Sequence, residues 1–282
     1  MNEVRHDVGL IGTGIGASLS PELHEREGAE QGLRYRYRLI ELDEGAALDG
    51  AIADARRAGF SGLNITHPFK QDVLACLDEL AAGATALQAV NTVVFAGDRA
   101  IGHNTDTTGF AQSFERGLPD AALDHVVLLG AGGAGAAVGH AVLRLGAERL
   151  TIVDVDPERA ETCARQLDLE RAAPGSLDGL AGADGLIHAT PTGMHGHAGM
   201  PLDGDLLTPA HWVAEVVYRP LETELIRRAR ALGCRTLDGG GMAVFQAAAS
   251  FELFTGIAAD RERMLRHFAQ LVDEATPAGA GR

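Results

Sequence analysis

The sequence predicts a two-domain α/β protein with mostly parallel sheets, on three observations. Apolar stretches of strand length alternate with helical periodicity along the chain, the pattern of parallel strands joined by helical crossovers. The length, 282 residues, suits about two domains at roughly 150 residues each. Near the middle, VVLLGAGGAGAAVGHAVLRLG runs an apolar strand into Gly130, Gly132 and Gly135 and then into a helix.

Taken in order, the first third predicts strands at Asp7–Gly12, Tyr35–Leu42, Gly62–Thr66, Asn91–Phe95 and Ala100–Gly102. Helices are predicted at Pro21–Gln31, Glu44–Ala58 and Pro68–Leu80, with a short helical turn at Ala84–Leu87. Pro68 is read as the first helical residue, where its missing N–H costs nothing. That puts Lys70 in the first turn, where the helix dipole disfavours a cation by about 0.3–1 kcal/mol. Thr107–Arg116 reads as a connecting helix stopped by Gly117-Leu118-Pro119. Strands follow at His125–Leu129, Leu150–Asp154, Gly185–Ala189, Trp212–Tyr218 and Arg235–Leu237, with helices between them. After Gly239-Gly240-Gly241 the chain reads as helical to about Glu274, and the tail TPAGAGR as disordered. Two long helices with no further strand to feed are expected to return to the first domain. The predicted domains are therefore residues 1–106 completed by 243–282, and residues 107–242.

The net charge of −15 repels phosphate backbones and anionic lipid, which argues against nucleic acid and membranes as partners. A small anionic ligand needs locally placed donors. Cys76, Cys163 and Cys234 are too scattered for a metal pair or a disulfide framework and read as inert thiols. The start MNEVRHDV has no apolar signal core, and no run of about 18 apolar residues follows, so a cytoplasmic location is expected.

The glycine run has the spacing G-x-G-x-x-G. Gly130 permits a tight turn, Gly132 a close backbone approach to a pyrophosphate, and Gly135 close helix–strand packing. Gly133 and Ala134 begin the helix whose free N–H groups face the anion. Asp154 ends the next strand about 20 residues on, the position of the acidic residue that accepts from an adenosine ribose. The second domain is thus a Rossmann dinucleotide-binding domain with a parallel sheet. A carboxylate at 154 suits the ribose hydroxyls of NAD. It would repel the 2′-phosphate of NADP by up to about 4 kcal/mol per charge pair at contact. Asp156 adds to this preference, and Arg159 opposes it.

Three polar motifs remain in the first domain. In GASLSPELH, Ser18 and Ser20 flank Leu19 and point the same way if the segment is extended. They read equally well as a hydroxyl pair for a carboxylate or, for Ser20, as a helix cap. In GHNTDTTGF, Asp106 lies between a strand and a helix, as an N-cap or as a functional acid. In AVNTVV, Asn91 opens a strand.

Together these motifs resemble the shikimate dehydrogenase family, which includes quinate/shikimate dehydrogenases. The resemblance runs through S-x-S-P-x-x-H at Ser18–His24, N-x-T-x-P-x-K at Asn64–Lys70, A-V-N-T at Ala89–Thr92 and N-T-D-x-x-G at Asn104–Gly109. It continues through G-A-G-G-A-G at Gly130–Gly135, A-T-P-x-G-M at Ala189–Met194, Y-x-P-x-x-T at Tyr218–Thr223 and G-M-x-x-x-Q at Gly241–Gln246.

The resemblance implies an N-terminal α/β substrate domain and a hydroxylated cyclohexene or cyclohexane carboxylate as substrate. Ser18 and Ser20 would hold the carboxylate, with Tyr218 nearby. Thr66, Asn91, Asp106 and Gln246 would bond the ring hydroxyls. Lys70 and Asp106 would form the catalytic pair, and Thr190, Pro191 and Met194 would line the nicotinamide side, with Gly241 and Met242 also at the cofactor. The enzyme class implied is an NAD(P)-dependent shikimate/quinate dehydrogenase, with a homodimer entertained as its assembly.

Two departures point to the NAD-linked quinate/shikimate branch. Biosynthetic members carry a basic Asn-Arg-Thr-like cluster where this chain has Asp154-Val155-Asp156, and an apolar residue where His67 stands. Serine at 20 is typical of shikimate users, whereas threonine occurs in members that favour quinate. His67 reads as either packed at the helix start or in contact behind the site. Alternatives in view are an aminoshikimate dehydrogenase, an NADP-dependent biosynthetic enzyme, and a non-catalytic metabolite and dinucleotide sensor. His195-Gly196-His197 has no acidic or thiol partner in sequence and reads as loop, so no metal is expected.

Overall fold

The computed structural model describes Arg5–Ala275 as two α/β units, the first up to Thr105 together with the chain from Val244, the second Asp106–Ala243. The tail TPAGAGR lies outside the described residues.

In the first unit, β1 (Arg5–Gly12) lies between β2 (Arg34–Glu41) and β3 (Gly62–Ile65), both parallel to it. Helices α1 (Ser20–Glu30) and α2 (Leu48–Arg57) make the crossovers. The sheet then reverses direction. Strand β5 (Thr92–Ala96) runs antiparallel to β3, and β6 (Arg99–His103) antiparallel to β5. Between β5 and β6, Gly97 at φ +62° makes the hairpin turn, a conformation glycine adopts without strain. The short β4 (Glu79–Leu80) pairs with β6 at the edge and is followed by α3 (Ala82–Leu87), giving the order β2-β1-β3-β5-β6-β4. The core gathers Ile11, Leu63, Ile65, Phe69, Val73 and Val93, all at most 1% exposed, between sheet and helices.

Two predicted helices differ. Helix α2 starts at Leu48 rather than Glu44, because Gly45 at φ +80° belongs to a turn. No α-helix spans 68–80. Pro68 follows a cis peptide bond, residues 68–71 form turns, and a 3-10 helix covers Asp72–Cys76. The Lys70 carbonyl accepts from Val90 N–H (2.8 Å), and Leu74 N–H turns to Gln71 instead (3.1 Å), so the α-type bond from Val73 N–H to the Phe69 carbonyl (3.0 Å) is not continued into a helix. The dipole cost assigned to Lys70 therefore does not apply.

The last helix, α9 (Arg261–Ala275), packs on α1. Glu27, fully buried on α1, accepts from Arg263 at 2.9 and 2.7 Å, from Asp260 N–H at 3.0 Å and from Gln31 at 2.7 Å. Burial alone would raise the Glu27 pKa, but these donors outweigh it and leave it below the usual carboxylate value.

The second unit opens with α4 (Asp106–Gly117) and then β7 (His125–Leu129), whose five residues are all buried, as in the centre of a parallel sheet. Helix α5 (Gly133–Arg144), β8 (Arg149–Val153), α6 (Pro157–Leu167) and β9 (Ala172–Pro174) wind to one side. Strands β10 (Gly185–His188), β11 (Trp212–Glu215) and β12 (Arg235–Leu237), with α7 (Glu224–Leu232) before β12, wind to the other. All pairings are parallel, in the order β12-β11-β10-β7-β8-β9. Read from β9, this is the 3-2-1-4-5-6 order of the dinucleotide fold, with the switch point between β7 and β10. Strand β9 was not predicted: three residues ending in proline show no alternation and suit only an edge. Helix α8 (Gly240–Thr255) begins in the second unit and ends in the first.

Two outcomes follow for stability. Arg263→Ala strands a buried carboxylate and should cost about 3 kcal/mol, the low end for breaking a buried pair, read by urea unfolding; a loss under about 0.5 kcal/mol would mean water reaches Glu27. Burial pushes His24 from 6.5 down to about 3. The unfolded chain then binds a proton that the folded chain refuses, so stability falls as pH drops from about 6.5 toward 3, by up to about 1.4 kcal/mol per pH unit. His24→Gln should flatten that slope between pH 5.5 and 4 by close to one proton; an unchanged slope would refute the assignment.

Candidate active site and dinucleotide site

The antiparallel turn of the first sheet gathers the polar residues at one sheet end. Because β5 runs against β3, its start lies beside the carboxyl ends of β1, β3 and β6. Thr66, just after β3, donates its N–H to Ile11 at the end of β1 (2.9 Å), and Ile65 N–H donates to the Asn91 carbonyl (2.8 Å). Gly12 is required here. A Cβ there would meet the Thr66 methyl at 2.3 Å and Ile15 at 2.6 Å.

Asn91 is 3% exposed and ties this end together. Its Oδ1 accepts from Thr105 N–H (2.8 Å) and from the hydroxyls of Thr105 (3.2 Å) and Thr92 (3.0 Å), and its Nδ2 donates to Thr105 Oγ1 (2.9 Å). Behind it, Asn64 Nδ2 donates to Thr92 Oγ1 (3.0 Å) and Tyr37 donates to Asn64 Oδ1 (2.8 Å). A buried amide with all these partners is rigid, so the Thr105–Asp106 peptide leaves β6 from a fixed point. Sequence reasoning missed Tyr37, and Thr105 was quoted inside N-T-D-x-x-G without a role. Asn64 lay inside a quoted motif, but only the β3–β5 register reveals its role.

Ser18 and Ser20 are half-buried after β1, but the segment is not extended. Leu19 has helical dihedrals at the N-cap of α1, and Ser20 is the first helical residue. The cap is supplied instead by Ser18, whose Oγ accepts Ser20 N–H at 3.2 Å. Lys70 is half-buried on its turn, held between Phe69 (1% exposed) and the anchored Val73. His67 neither packs nor contacts the site. Its side chain is 83% exposed, 4.0 Å from Glu44, a pairing that solvent makes nearly worthless. Gln246 lies half-buried on the part of α8 that belongs to this unit.

Asp106 is the first residue of α4 rather than its cap, and is 6% exposed. Tyr218 lies beyond β11, which ends at Glu215, and the Arg219–Pro220 bond that follows is cis. Burial pushes its phenol pKa up, with Arg219 opposing.

The glycine loop has the geometry its spacing predicts. Gly130 adopts φ +107°, and a Cβ there would lie 2.7 Å from the Ala189 carbonyl. A Cβ on Gly135 would lie 1.9 Å from the Gly130 carbonyl oxygen, so α5 and β7 can meet only at glycine. Gly132, the N-cap of α5, faces open space, and the half-buried Gly133 and Ala134 start the helix. This is a cradle for a pyrophosphate, and the residues present fit a dinucleotide. Asp154 follows β8 directly. Its Oδ2 accepts from Ala131 N–H in the glycine loop (2.7 Å), and its Oδ1 from Asp156 N–H (3.0 Å). Asp156 is occupied as the cap of α6, accepting from Glu158 and Arg159 N–H, and the Arg159 side chain is exposed.

After β10, Thr190 is half-buried beside Gly130, while Pro191 and Met194 are exposed. Gly241 packs so tightly on α4 that a Cβ would meet Ser113 Oγ at 2.3 Å, and Met242 is buried. His195 and His197 are exposed loop residues, and among the described residues no group of three or more histidine, cysteine or carboxylate side chains is arranged to hold a metal. Burial raises the pKa of all three thiols, Cys163 to about 11, so none is held as a thiolate. Among the described residues no helix is long and apolar enough to cross a membrane.

The shikimate dehydrogenase substrate binding domain matches residues 10–93, and the shikimate 5′-dehydrogenase C-terminal domain matches residues 239–267. A shikimate dehydrogenase (NADP(+)) of Streptomyces avermitilis is 60% identical, over 98% of this chain and 99% of its own. A quinate/shikimate dehydrogenase (NAD(+)) of Corynebacterium efficiens is 48% identical, over 95% of this chain and 100% of its own. Among solved structures, quinate dehydrogenase from Corynebacterium glutamicum in complex with NAD superposes with a TM-score of 0.89 at 45% identity, covering 94% of this chain and 99% of that one. Similarity at this level along nearly the full length of each relative makes the chain a member of the shikimate dehydrogenase family, the NAD(P)-dependent oxidoreductases of shikimate and quinate.

Proposed function

We propose that the protein oxidises a ring hydroxyl of shikimate, and of quinate, to the 3-dehydro ketone with NAD as hydride acceptor, reversibly. The observation that carries this reading is the sheet end where Thr66, Asn91 and the Lys70 turn meet around the carboxyl ends of β1 and β3. Ligands of α/β sheets bind at such ends. Ser18 and Ser20 hold the substrate carboxylate, aided by Tyr218. Thr66, Asn91, Asp106 and Gln246 bond the ring hydroxyls. Lys70, with Asp106, takes the hydroxyl proton as the carbinol C–H leaves as hydride and the C=O forms. NAD, when bound, supplies the acceptor carbon. Gly130, Gly132, Gly133, Ala134 and Gly135 cradle its pyrophosphate, Asp154 faces its ribose, and Thr190, Pro191, Met194, Gly241 and Met242 line its nicotinamide end.

The cofactor assignment rests on the Asp154 carboxylate and on the absence of any basic side chain between it and Arg159. A second reading, NADP as cofactor, is favoured by the name of the Streptomyces relative and by the exposed Arg159 in the first turn of α6. Asp154→Asn removes the charge while keeping an acceptor for Ala131. It should raise the NADP-to-NAD ratio of kcat/KM by about tenfold or more; an unchanged ratio would mean residue 154 does not face the ribose. Following reduced-nicotinamide absorbance with shikimate, quinate and aminoshikimate against both cofactors decides substrate range.

Lys70→Ala should lower kcat by about 10²-fold or more, the scale of lost acid–base catalysis, with a smaller change in KM for substrate. Retained turnover would refute the mechanism. Binding of both ligands without any turnover by the unmodified protein would instead favour a sensor.

A further inference from the structure

A buried polar chain crosses the second unit and ends at the glycine loop. His188, the last residue of β10, and Glu215, the last of β11, are register partners, 0% and 1% exposed. His188 Nδ1 bonds Glu215 Oε1. The other Glu215 oxygen accepts from the hydroxyl of Thr223, which is 2% exposed and caps α7 by accepting Ile226 N–H at 3.2 Å. At its other end His188 Nε2 bonds Thr190 Oγ1, which also accepts Thr192 N–H at 3.3 Å. The half-buried Thr190 is where this chain approaches solvent, and its methyl would lie 2.9 Å from a Cβ on Gly130.

We propose that His188 and Glu215 are positioning residues that fix the Thr190 hydroxyl for the carboxamide end of the nicotinamide. Thr223 donates to one Glu215 oxygen and His188 Nδ1 bonds the other, so the imidazole orientation is determined. The ring then holds Thr190 in one rotamer and leaves its hydroxyl one direction in which to meet a ligand. Thr190 Oγ1, already bonded to Nε2 and to Thr192 N–H, has one position left. A planar amide, which offers a donor at one end and an acceptor at the other, can fill it whichever way the hydroxyl proton points. Buried polar networks in a sheet core add little to stability compared with packed apolar residues, which argues for a role at the exposed end. The proposal rests on the reading that Thr190 lines the nicotinamide site.

The test compares binding of two probes by calorimetry. One is whichever of NADH and NADPH the wild type binds more tightly. The other is the matching ADP-ribose or 2′-phospho-ADP-ribose, which lacks nicotinamide. His188→Asn keeps a donor for Glu215 but falls short of Thr190. It should weaken the dinucleotide about three- to tenfold, the worth of one hydrogen bond, and leave the fragment within about twofold. Thr190→Val should do the same, and Thr190→Ser should restore wild-type binding. Equal weakening of both probes by His188→Asn would reduce the network to loop support and overturn the proposal. Loss of dinucleotide affinity in Thr190→Val but not in His188→Asn or Glu215→Gln would also overturn it, while leaving Thr190 at the nicotinamide. No effect of Thr190→Val on either probe would overturn the parent placement as well.

Discussion

The reversal of strand direction between β3 and β5 is the constraint on which the first unit depends. In a purely parallel sheet, the residue preceding a strand lies at the far end from the ligand. Here the antiparallel β5 starts where β1, β3 and β6 finish, so Asn91 stands among their carboxyl ends. Its amide is spent largely on Thr105 and Thr92, and Asn64 and Tyr37 back it from behind. The result is a floor whose polar atoms cannot turn away, the preorganisation that the proposed binding of a hydroxylated ring requires.

The second unit meets a different demand: bringing backbone, rather than side chains, close to a ligand. Gly130 and Gly135 touch through a carbonyl that leaves no room for a Cβ. Asp154 accepts an N–H from the same loop, so the residue proposed to meet the ribose also stiffens the turn proposed to meet the pyrophosphate. Charge and shape are therefore coupled at position 154, which is why a substitution that keeps the acceptor separates them.

Much of this was readable in the chain. The glycine register and the acidic residue after β8 depend on local spacing, and the structure keeps that spacing. The order of strands and the reversal at β5 were not predicted, because pairing between distant segments leaves no local pattern. What failed did so for non-local reasons. Pro68 looks like a helix start, but the carbonyl of Lys70 is claimed by Val90, a residue about 20 positions away. Ser18 and Ser20 looked like neighbours on an extended segment, but the α1 helix takes Leu19 and Ser20 into its first turn. His188, Glu215 and Thr223 carry no signal singly; only the β10–β11 register joins them. Strand β9 was too short to show a period.

The second unit is one uninterrupted stretch, whereas the first is assembled from two pieces that enclose it in sequence. On a ribosome the two therefore mature in inverted order. The nucleotide-binding stretch has all its strands as soon as it emerges. The segment made earliest must wait, with the Glu27 carboxylate lacking its arginine, until the final helix is synthesised. A released chain truncated before Arg263 would thus keep every strand of the second unit while the first held a buried carboxylate with no arginine to answer it.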